Sequence, residues 1–454
     1  MLYIIRLCIS ILTAYFLGRT IYLLFCSPKE KNNIISKFHS FLIGLGITSI
    51  FFWFYTISTN GYNSNYHIIE TSLVTFIYLY LRIRKVNNLF SISKSHSRKN
   101  NIAKNKRSLL NYMGIILFSL VAILCLYKCK QFPDGRWDAI AMWNFRAKFL
   151  AIGNESWNRM YFNTYEYSHR DYPLFLPCII ARGFNYVGRI DTIIPMFISW
   201  FFTILSFILP FLYLIKFKSK YFAILAVCIL TYSPKLISYG CVQYADIPIG
   251  VFILVSLYEF IVWNEESKNL PWIGMLFAGL CFWVKNEGIP WFISYSLLVL
   301  YSLYKKENSF KSSIKKFLKT TTALLPIFIS VLFVRYFAKS ENDIVFGILD
   351  RIKQIFDFER YKIIMPYYWT FIKQHFWILF IPIYLLTGHI HKQYRKYKYL
   401  FFIILLMFLI YLFVYLVSPH ALYWHVDSSF DRISASYLPA LIFLGCLLFN
   451  FKKE

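Results

Sequence analysis

The segment 401–417 has the sequence FFIILLMFLIYLFVYLV, which contains no charged residue, glycine or proline. A helix needs about 20 mostly apolar residues to cross the hydrocarbon core of a bilayer, which is about 30 Å thick. Similar runs recur along the chain, among them 109–127 and 193–215. Because backbone groups inside a bilayer must bond one another, such segments are usually helical. The sequence therefore predicts an all-α polytopic membrane protein.

The composition of the whole chain agrees with this class. Of its 454 residues, 58% are hydrophobic and only 16% are charged, which is typical of membrane proteins. The first apolar run contains Arg6 and Arg19 and has no small-residue cleavage site, so it predicts a retained helix rather than a signal peptide. The nine cysteines are scattered, which favours packing roles over a disulfide framework or a metal site.

The net charge of +27 indicates contact with anionic lipid headgroups. No zinc-finger spacing, glycine-rich phosphate loop or RNA-binding motif accompanies it, so nucleic acid is not an expected partner. Lysine and arginine accumulate on the cytoplasmic side of membrane proteins. We therefore assign to the cytoplasm the basic clusters 82–107, 216–220, 305–319 and 392–398.

This assignment predicts about 13 transmembrane helices, with the N-terminus outside. They are residues 2–25, 38–57, 66–83, 109–127, 191–215, 221–239, 247–263, 271–285, 289–304, 320–338, 371–388, 399–417 and 433–450. Residues 1–107 then comprise three transmembrane helices and a basic cytoplasmic loop. Residues 108–450 comprise the remaining core, in which 128–190 is the first outer loop.

The segment 173–187 is apolar enough to be a further span. Counting it as one would move the basic cluster 216–220 to the outer side, against the preference of basic residues for the cytoplasm. We therefore predict that it is re-entrant or interfacial and belongs to the first outer loop. The alternative is 14 spans with the start of the chain reversed.

Most of the 22 acidic residues fall on the outer side of this topology, although they were not used to build it. Simple solvation of an outer loop accounts for the acids between positions 341 and 359. It accounts less well for single acids in very short connections, such as Asp246 and Glu287. These connections are therefore candidate parts of a site.

The stretch 134–150, DGRWDAIAMWNFRAKFL, follows directly after an apolar span. Asp138 is a candidate N-cap of a helix, in which apolar side chains repeat at helical spacing at Ile140, Trp143, Ala147 and Leu150. One hypothesis is an amphipathic helix that lies in the headgroup plane. The other is a carboxylate held at membrane depth beside a lipid-borne substrate.

Two further polar groups lie beside apolar segments on the outer side. His169, Arg170 and Asp171 come just before a segment that begins with Pro173. Broken helices at membrane depth occur mainly where they line a cavity, although a loop-to-helix junction explains the proline equally well. Asp246 stands before an apolar span and is either a routine helix cap or a functional group.

Lys285 and Glu287 interrupt a run of apolar residues and are followed by Gly288 and Pro290. Ionisable residues inside a membrane are functional candidates by default, and an ion pair that stabilises the turn is the alternative. Arg432 precedes the last predicted span. A guanidinium at this depth suits a phosphate, whereas snorkelling to the headgroups is the other interpretation.

The order of these features resembles the GT-C superfamily of integral-membrane glycosyltransferases. It is similar in particular to the bacterial relatives of protein O-mannosyltransferases and of the lipid A aminoarabinose transferase. In that family an outer loop carries an acidic pair that opens an amphipathic helix, followed by a Lys/His-Pro-Pro-Leu element, an aspartate after a span, a Lys-Gly corner and a Ser-x-x-x-Arg element. The corresponding stretches here are 138–148, 170–174, 245–248, 285–288 and 428–432.

The resemblance covers roughly residues 105–435, which makes the three N-terminal helices an addition to a GT-C-like core. Two positions depart from the family pattern. The second acid of the pair is Ala139, and the first proline of the Pro-Pro element is Tyr172. These departures leave open whether Asp134 or Asp138 is the functional carboxylate, and whether a divalent metal is needed.

The resemblance implies an inverting transfer of a sugar from a polyprenyl-phosphate donor to a lipid, glycan or protein acceptor on the outer face. Asp138, with Asp134 in reserve, is the expected base, and Asp246 is the third expected catalytic residue. The donor phosphate is expected to contact Arg432, Lys285, Arg170 and His169. The expected substrate contacts are Asp171, Glu287 and Trp143.

No cofactor is firmly implied, and Asp246 and Asp138 are the expected ligands if a divalent cation takes part. The expected location is the inner membrane of a bacterium, with the active site facing outward and membrane lipids as neighbours. A flippase or transporter for lipid-linked sugars is an alternative, and should show an internal repeat, which the sequence lacks. A glycan polymerase is the other alternative.

Overall fold

The computed structural model describes residues 1–26, 33–83, 109–162, 168–266, 270–340, 342–385 and 391–448. Throughout these ranges all regular structure is helical and no strand occurs, which confirms the predicted all-α class. Most of the basic segment 82–107 lies outside the described residues, so its position in the cytoplasm stays a prediction.

We number the α-helices in chain order. They are α1 (Leu2–Phe25), α2 (Ile34–Ser58), α3 (Tyr66–Ile83), α4 (Leu109–Gln131), α5 (Asn144–Ile152), α6 (Phe175–Val187), α7 (Ile193–Phe217), α8 (Lys220–Thr231), α9 (Pro234–Cys241), α10 (Asp246–Glu266), α11 (Trp272–Val284), α12 (Gly288–Glu307), α13 (Phe310–Thr321), α14 (Leu325–Ala338), α15 (Ile348–Arg351), α16 (Phe358–Leu385), α17 (His391–Leu416) and α18 (Leu422–Leu448). A π-helical turn (Ala139–Trp143) leads into α5. Short 3₁₀ segments occur at Asn154–Tyr161, Thr322–Leu324 and Ile352–Phe356.

Eight helices of the described residues are long and apolar enough to cross a membrane, or nine if the bent pair α8 and α9 counts as one span. The chain therefore has the helices of a multi-pass membrane protein. Each of the 13 predicted segments is mostly helical. The number of 13 spans is not confirmed, because fewer of the described helices are long and apolar enough to cross a membrane. Helix α11, for example, has 13 residues, about 20 Å at 1.5 Å per residue.

The predicted span 221–239 is broken near its C-terminal end. Helices α8 and α9 meet there at an angle of 71°. Pro234 is the first residue of α9, and proline is favoured at that position because its missing N–H would have had no helical partner. The sequence analysis did not predict this bend.

The N-terminal helices α1 and α2 pack with their backbones almost touching. A Cβ added to Gly18 would stand 1.8 Å from the carbonyl oxygen of Ser40, and one added to Gly44 would stand 1.8 Å from that of Ala14. Both helices thus carry small residues four positions apart, the arrangement that lets membrane helices approach closely. These helices also pack on α6 and so form one bundle with the rest of the described chain.

Helix α10 lies at the centre of the bundle. Its apolar window is completely buried, and the helix packs against α7, α11 and α18. A Cβ on Gly250 would stand 2.3 Å from the carbonyl oxygen of Ser436, so glycine permits α18 to approach here. Asp246 and Arg432 each precede this contact by one helical turn. The close contact therefore sets them side by side.

The segment predicted to be re-entrant or interfacial forms α6, which has 13 residues. At 1.5 Å per residue it is about 20 Å long, too short to cross a bilayer core. All of its residues except Asn185 are buried, and it packs against α1, α2 and α5. This burial fits a re-entrant helix inside the bundle rather than one lying on its surface.

A buried ion pair joins three of these helices. The Nε atom of Arg182 on α6 donates to both carboxylate oxygens of Glu70 on α3, at 3.0 and 2.9 Å. Its other nitrogens donate to the hydroxyl and the carbonyl of Ser10 on α1, at 2.7 and 2.9 Å. Tyr66 and Tyr186 donate to the same carboxylate. Glu70, which lies in a predicted span, is thus neutralised by a cation that the sequence analysis did not single out.

Candidate functional site

Five charged side chains form a continuous network at one end of the bundle. Arg432 Nη2 lies 2.6 Å from Asp138 Oδ2 and 3.4 Å from Asp246 Oδ2. Lys285 Nζ lies 3.1 Å from Asp246 Oδ1 and 2.8 Å from Glu287 Oε1. Two cations thus alternate with three carboxylates. The structure brings together four segments that the sequence analysis selected separately.

The members of this network differ in how far they reach the surface. The side chains of Asp246 and Lys285 are each 4% exposed, whereas Asp138 and Arg432 are 14% and 17% exposed and Glu287 is 23% exposed. Charges buried to this degree need partners because removal from water costs several kcal/mol per ion. Asp246 therefore lies behind the two cations, and Asp138, Arg432 and Glu287 are the accessible members.

A cavity of about 1150 Å³ opens beside the network. Asp138, Lys285, Glu287 and Arg432 all contribute to its wall. Another part of the wall is apolar and comes from α12, α17 and α18, through Ile289, Pro290, Ile410, Tyr411, Val414 and Ile433. The cavity therefore combines a charged region with a hydrophobic one.

Asp138 lies in a single helical turn at 137–138 that runs directly into the π-helical turn Ala139–Trp143, and its side chain does not cap a helix. Its backbone is α-helical, with φ −63° and ψ −33°, and its side chain makes no capping hydrogen bond, so the N-cap interpretation is wrong. The carboxylate is instead bound by Arg432. The π-helical turn that follows inserts an extra residue into the first turns, a feature frequent at functional sites.

The loop that carries Asp138 is tied to the segment before α10 by Gln243. Its amide nitrogen donates to the carbonyls of Phe132 and Pro133, at 3.1 and 2.9 Å. Its amide oxygen accepts from Asn144 at 2.6 Å. Gln243 is 3% exposed and was not singled out by the sequence analysis. These bonds hold Asp138 close to Asp246.

Tyr172 connects the network to the stretch 168–172. Its hydroxyl donates to Glu287 at 3.3 Å. Burial, followed by the Glu287 and Asp171 carboxylates, raises the pKa of Tyr172 well above its ordinary value, so this hydroxyl stays a donor at neutral pH. Tyr172, which stands where the GT-C family has the first proline of its Pro-Pro element, thus contacts the charged network.

The backbone of the same stretch is held by Arg146 on α5. Its guanidinium donates to the carbonyls of Ser168, His169 and Tyr172. Burial lowers the pKa of Arg146 to about 10, which leaves it charged at neutral pH. Arg146 was not singled out from the sequence, and it is completely buried rather than placed on the surface of an interfacial helix.

Asp171 joins two other segments of the site and does not line the cavity. Its Oδ2 atom accepts from Asn286 at 2.6 Å and from Asn342 at 2.9 Å, and the residue is 5% exposed. Asn286 belongs to the corner that carries Lys285 and Glu287. Asp171, predicted to contact substrate, therefore holds that corner against the loop after α14.

Replacing Asp171 with alanine is expected to lower the free energy of unfolding by about 2–3 kcal/mol, because two amide donors lose their acceptor. Thermal unfolding of the detergent-solubilised protein measures this. The D171N variant keeps one acceptor oxygen and should lose less, and exposed Asp350, changed to alanine, is the control. A D171A variant as stable as the wild type would contradict this role.

The loop after α14 and the start of α18 supply a second polar group on the cavity wall. Asp343 Oδ2 lies 2.8 Å from His420 Nε2, and Ser418 Oγ lies 2.7 Å from His425 Nδ1. Asp343 and both histidines line the cavity. The sequence analysis attributed the acid at 343 to simple solvation, because nothing in the chain shows that this loop returns over the site.

The remaining predicted site residues lie in different places. His169 lines the cavity. Asp134 is exposed and contributes only its carbonyl to Asn144. Arg170 donates to the carbonyl of Tyr161 at 3.1 Å and does not line the cavity. Trp143 is completely buried against Tyr172, and it is Trp137 that lines the cavity.

Asp138 and Asp246, the expected ligands of a divalent cation, both face Arg432. In the part of the chain that the structure describes, no group of three or more His, Cys, Asp or Glu side chains is arranged to hold a metal ion. This donor set does not fit a divalent cation, because a guanidinium occupies the position between the two carboxylates.

The fold and the site together define a multi-pass helical membrane protein with a charged network on the wall of a large cavity. No protein-family model, curated protein or solved structure matches the chain.

Proposed function

We propose that the chain is an inverting glycosyltransferase of GT-C type, which transfers a sugar from a polyprenyl-phosphate donor to an acceptor hydroxyl at the outer face of a membrane. The observation that carries the proposal is the wall of the large cavity. There Asp138 and Arg432 meet at 2.6 Å, beside an apolar region formed by α12, α17 and α18. A base, a phosphate-binding cation and a surface for a lipid chain thus occur together.

Asp138 is the base in this proposal. Its carboxylate takes the proton of the acceptor hydroxyl as the acceptor oxygen forms a bond to the anomeric carbon of the sugar. The bond between that carbon and the phosphate oxygen breaks, and its electron pair leaves with the polyprenyl phosphate. Attack from the side opposite the phosphate inverts the configuration. Asp134 is omitted from this role because it lies away from the cavity.

Arg432 and Lys285 are the cations that would stabilise the departing phosphate. Arg432 offers planar donors that suit phosphate oxygens, and its buried Nε atom has no hydrogen-bond partner among the residues that the structure describes. Arriving phosphate would compete with Asp138 for this guanidinium. Donor binding would then free the carboxylate to act as a base. His169 also lines the cavity and remains a candidate contact, whereas Arg170 does not.

The apolar part of the wall would hold the first isoprene units of the donor. A cavity of about 1150 Å³ exceeds the roughly 300–1,000 Å³ typical of small-molecule sites, so it has room for a sugar phosphate and part of its lipid. We propose the inner membrane of a bacterium as the location, with the cavity facing outward. The acceptor is a lipid, a glycan or a protein.

The test uses the purified full chain in proteoliposomes that contain polyprenyl-phosphate hexoses or pentoses and a lipid or glycan acceptor fraction. Consumption of the donor with appearance of a glycosylated acceptor supports the proposal. Movement of intact donor across the bilayer without consumption would indicate a flippase instead. Extension of a lipid-linked glycan by whole repeat units would indicate a polymerase.

Replacing Arg432 with glutamine is expected to raise the KM for the donor by about 10–100-fold, because a charge-assisted hydrogen bond to phosphate is lost. Initial rates at varied donor concentration measure the effect. Arg136, exposed in the loop before Asp138, supplies the control variant R136Q, whose KM should stay at the wild-type value. An unchanged KM in R432Q would remove the phosphate role of Arg432.

A further inference from the structure

A second cavity, of about 370 Å³, lies between the start of α1, the first turn of α3 and the end of α6. Its polar lining residues are Arg6, Ser64, His67, Asn185 and Arg189, and no acidic residue lines it. The connection between α2 and α3 is bonded to Leu150 on α5 through Asn63, and to Asn154 at the start of the next 3₁₀ segment through Gly61. The cavity therefore lies at the same end of the bundle as the candidate site, and shares no lining residue with the large cavity.

Arg6 supplies an unpaired cation to this cavity. Among the described residues its guanidinium has no hydrogen-bond or ion-pair partner, whereas Arg189 is paired with Asp191 at 3.1 Å. Gly188 ends α6 with φ +78°, and a Cβ there would stand 2.8 Å from Arg6 Nη1. Glycine thus leaves the space that the guanidinium occupies.

Two further polar atoms, on residues that line the same cavity, have no hydrogen-bond partner among the described residues. The Nδ1 atom of His67 and the Oδ1 atom of Asn185 are buried and make no hydrogen bond within the described chain. The amide nitrogen of Asn185 donates to the carbonyl of Asn63, which fixes its oxygen as an acceptor. A buried oxygen acceptor is normally bonded to a donor, which a ligand hydroxyl or an ordered water can supply.

Helix α1 presents an apolar surface next to this group. Leu2 and Ile9 lie four residues before and three residues after Arg6, so they share its helix face. They are 62% and 39% exposed. An acyl chain could lie along this face while its headgroup enters the cavity.

We propose that this cavity binds a phospholipid headgroup that carries both a phosphodiester and free hydroxyls, such as that of phosphatidylglycerol. Arg6 binds the phosphate, Asn185 accepts a hydrogen bond from a headgroup hydroxyl, and His67 bonds a further headgroup oxygen. Basic pockets between membrane helices bind anionic headgroups in this way. The site is independent of the proposed sugar transfer.

The test is native mass spectrometry of the full chain, purified from nanodiscs that contain equal amounts of phosphatidylglycerol and phosphatidylcholine. The wild type is expected to retain phosphatidylglycerol preferentially. R6Q is expected to lose about tenfold or more of that preference, whereas the control R136Q should keep it. H67F, which preserves the ring contact with Tyr186 but removes Nδ1, should lose part of it.

Two results of the lipid-retention experiment would overturn this proposal. One is equal retention of the two lipids by the wild type. The other is a preference for phosphatidylglycerol that persists in both R6Q and H67F. Soluble glycerol phosphate provides a separate arm: if it displaces the retained lipid at micromolar concentration, the ligand is the free phosphate ester and the lipid assignment is wrong. Thermal unfolding in phosphatidylcholine alone checks that each variant is folded.

Discussion

Replacing Asp138 with asparagine is expected to lower kcat for sugar transfer by about 10²–10⁴-fold, the usual contribution of a general base. Asparagine has nearly the same shape, and its amide oxygen can still accept from Arg432, which lies 2.6 Å from the native carboxylate. It cannot take a proton from the acceptor hydroxyl. The measurement is the rate of polyprenyl phosphate release by the purified chain in proteoliposomes at saturating donor.

The matched control for this variant is Asp134→Asn, four residues earlier in the same loop. Asp134 is exposed and its carboxylate does not reach the cavity, so D134N should transfer sugar at the wild-type rate. A wild-type rate in D138N would remove the base assignment. A similar loss in both variants would mean that the charge of the loop matters and not the position of one carboxylate.

Much of the candidate site could be predicted because charges in a membrane protein are costly to bury. Asp246, Lys285, Glu287 and Arg432 stood out as charges beside long apolar runs, and in the structure they neutralise one another. The sequence could not show which charge pairs with which. The predicted topology placed these four residues at one face of the membrane, but it gave no distances between them.

The supporting residues of the site could not be found in this way. Gln243, Asn286 and Asn342 are uncharged and lie in loops, and each acts through a partner far away in the chain. The sequence contains nothing that indicates these partners. His420 and Asp343 were missed for the same reason, since their contact depends on how the loop after α14 folds back.

The helices themselves were largely predictable from apolar runs. The positions of their breaks and the number of helices that cross the membrane were not. The corner at Lys285 was expected because charges and Gly288 interrupt the run there. The bend before Pro234 was not, because a proline near the end of an apolar run is also compatible with a continuous span. Close packing through Gly18 and Gly44 depends on which faces of α1 and α2 meet, which hydropathy does not show.

Replacing Glu70 with alanine is expected to lower the free energy of unfolding by about 3–5 kcal/mol, the usual cost of leaving one member of a buried ion pair without its partner. Arg182 would keep its bonds to Ser10 but lose both carboxylate oxygens. Tyr66 and Tyr186 would also lose their acceptor. Unfolding of the purified protein by SDS in mixed micelles measures this change.

A double variant separates the ion pair from simple loss of packing. Glu70→Leu combined with Arg182→Met removes both charges and restores most of the apolar volume, so it should be clearly more stable than E70A. The control is Glu359→Ala, because the ion pair of Glu359 with Lys362 is largely exposed and such pairs contribute little. If the double variant were as unstable as E70A, the loss would come from the tyrosine and serine bonds and not from an unpaired charge. In that case the hydrogen bonds of the tyrosine and serine side chains, and not the ion pair, would hold α1, α3 and α6 together.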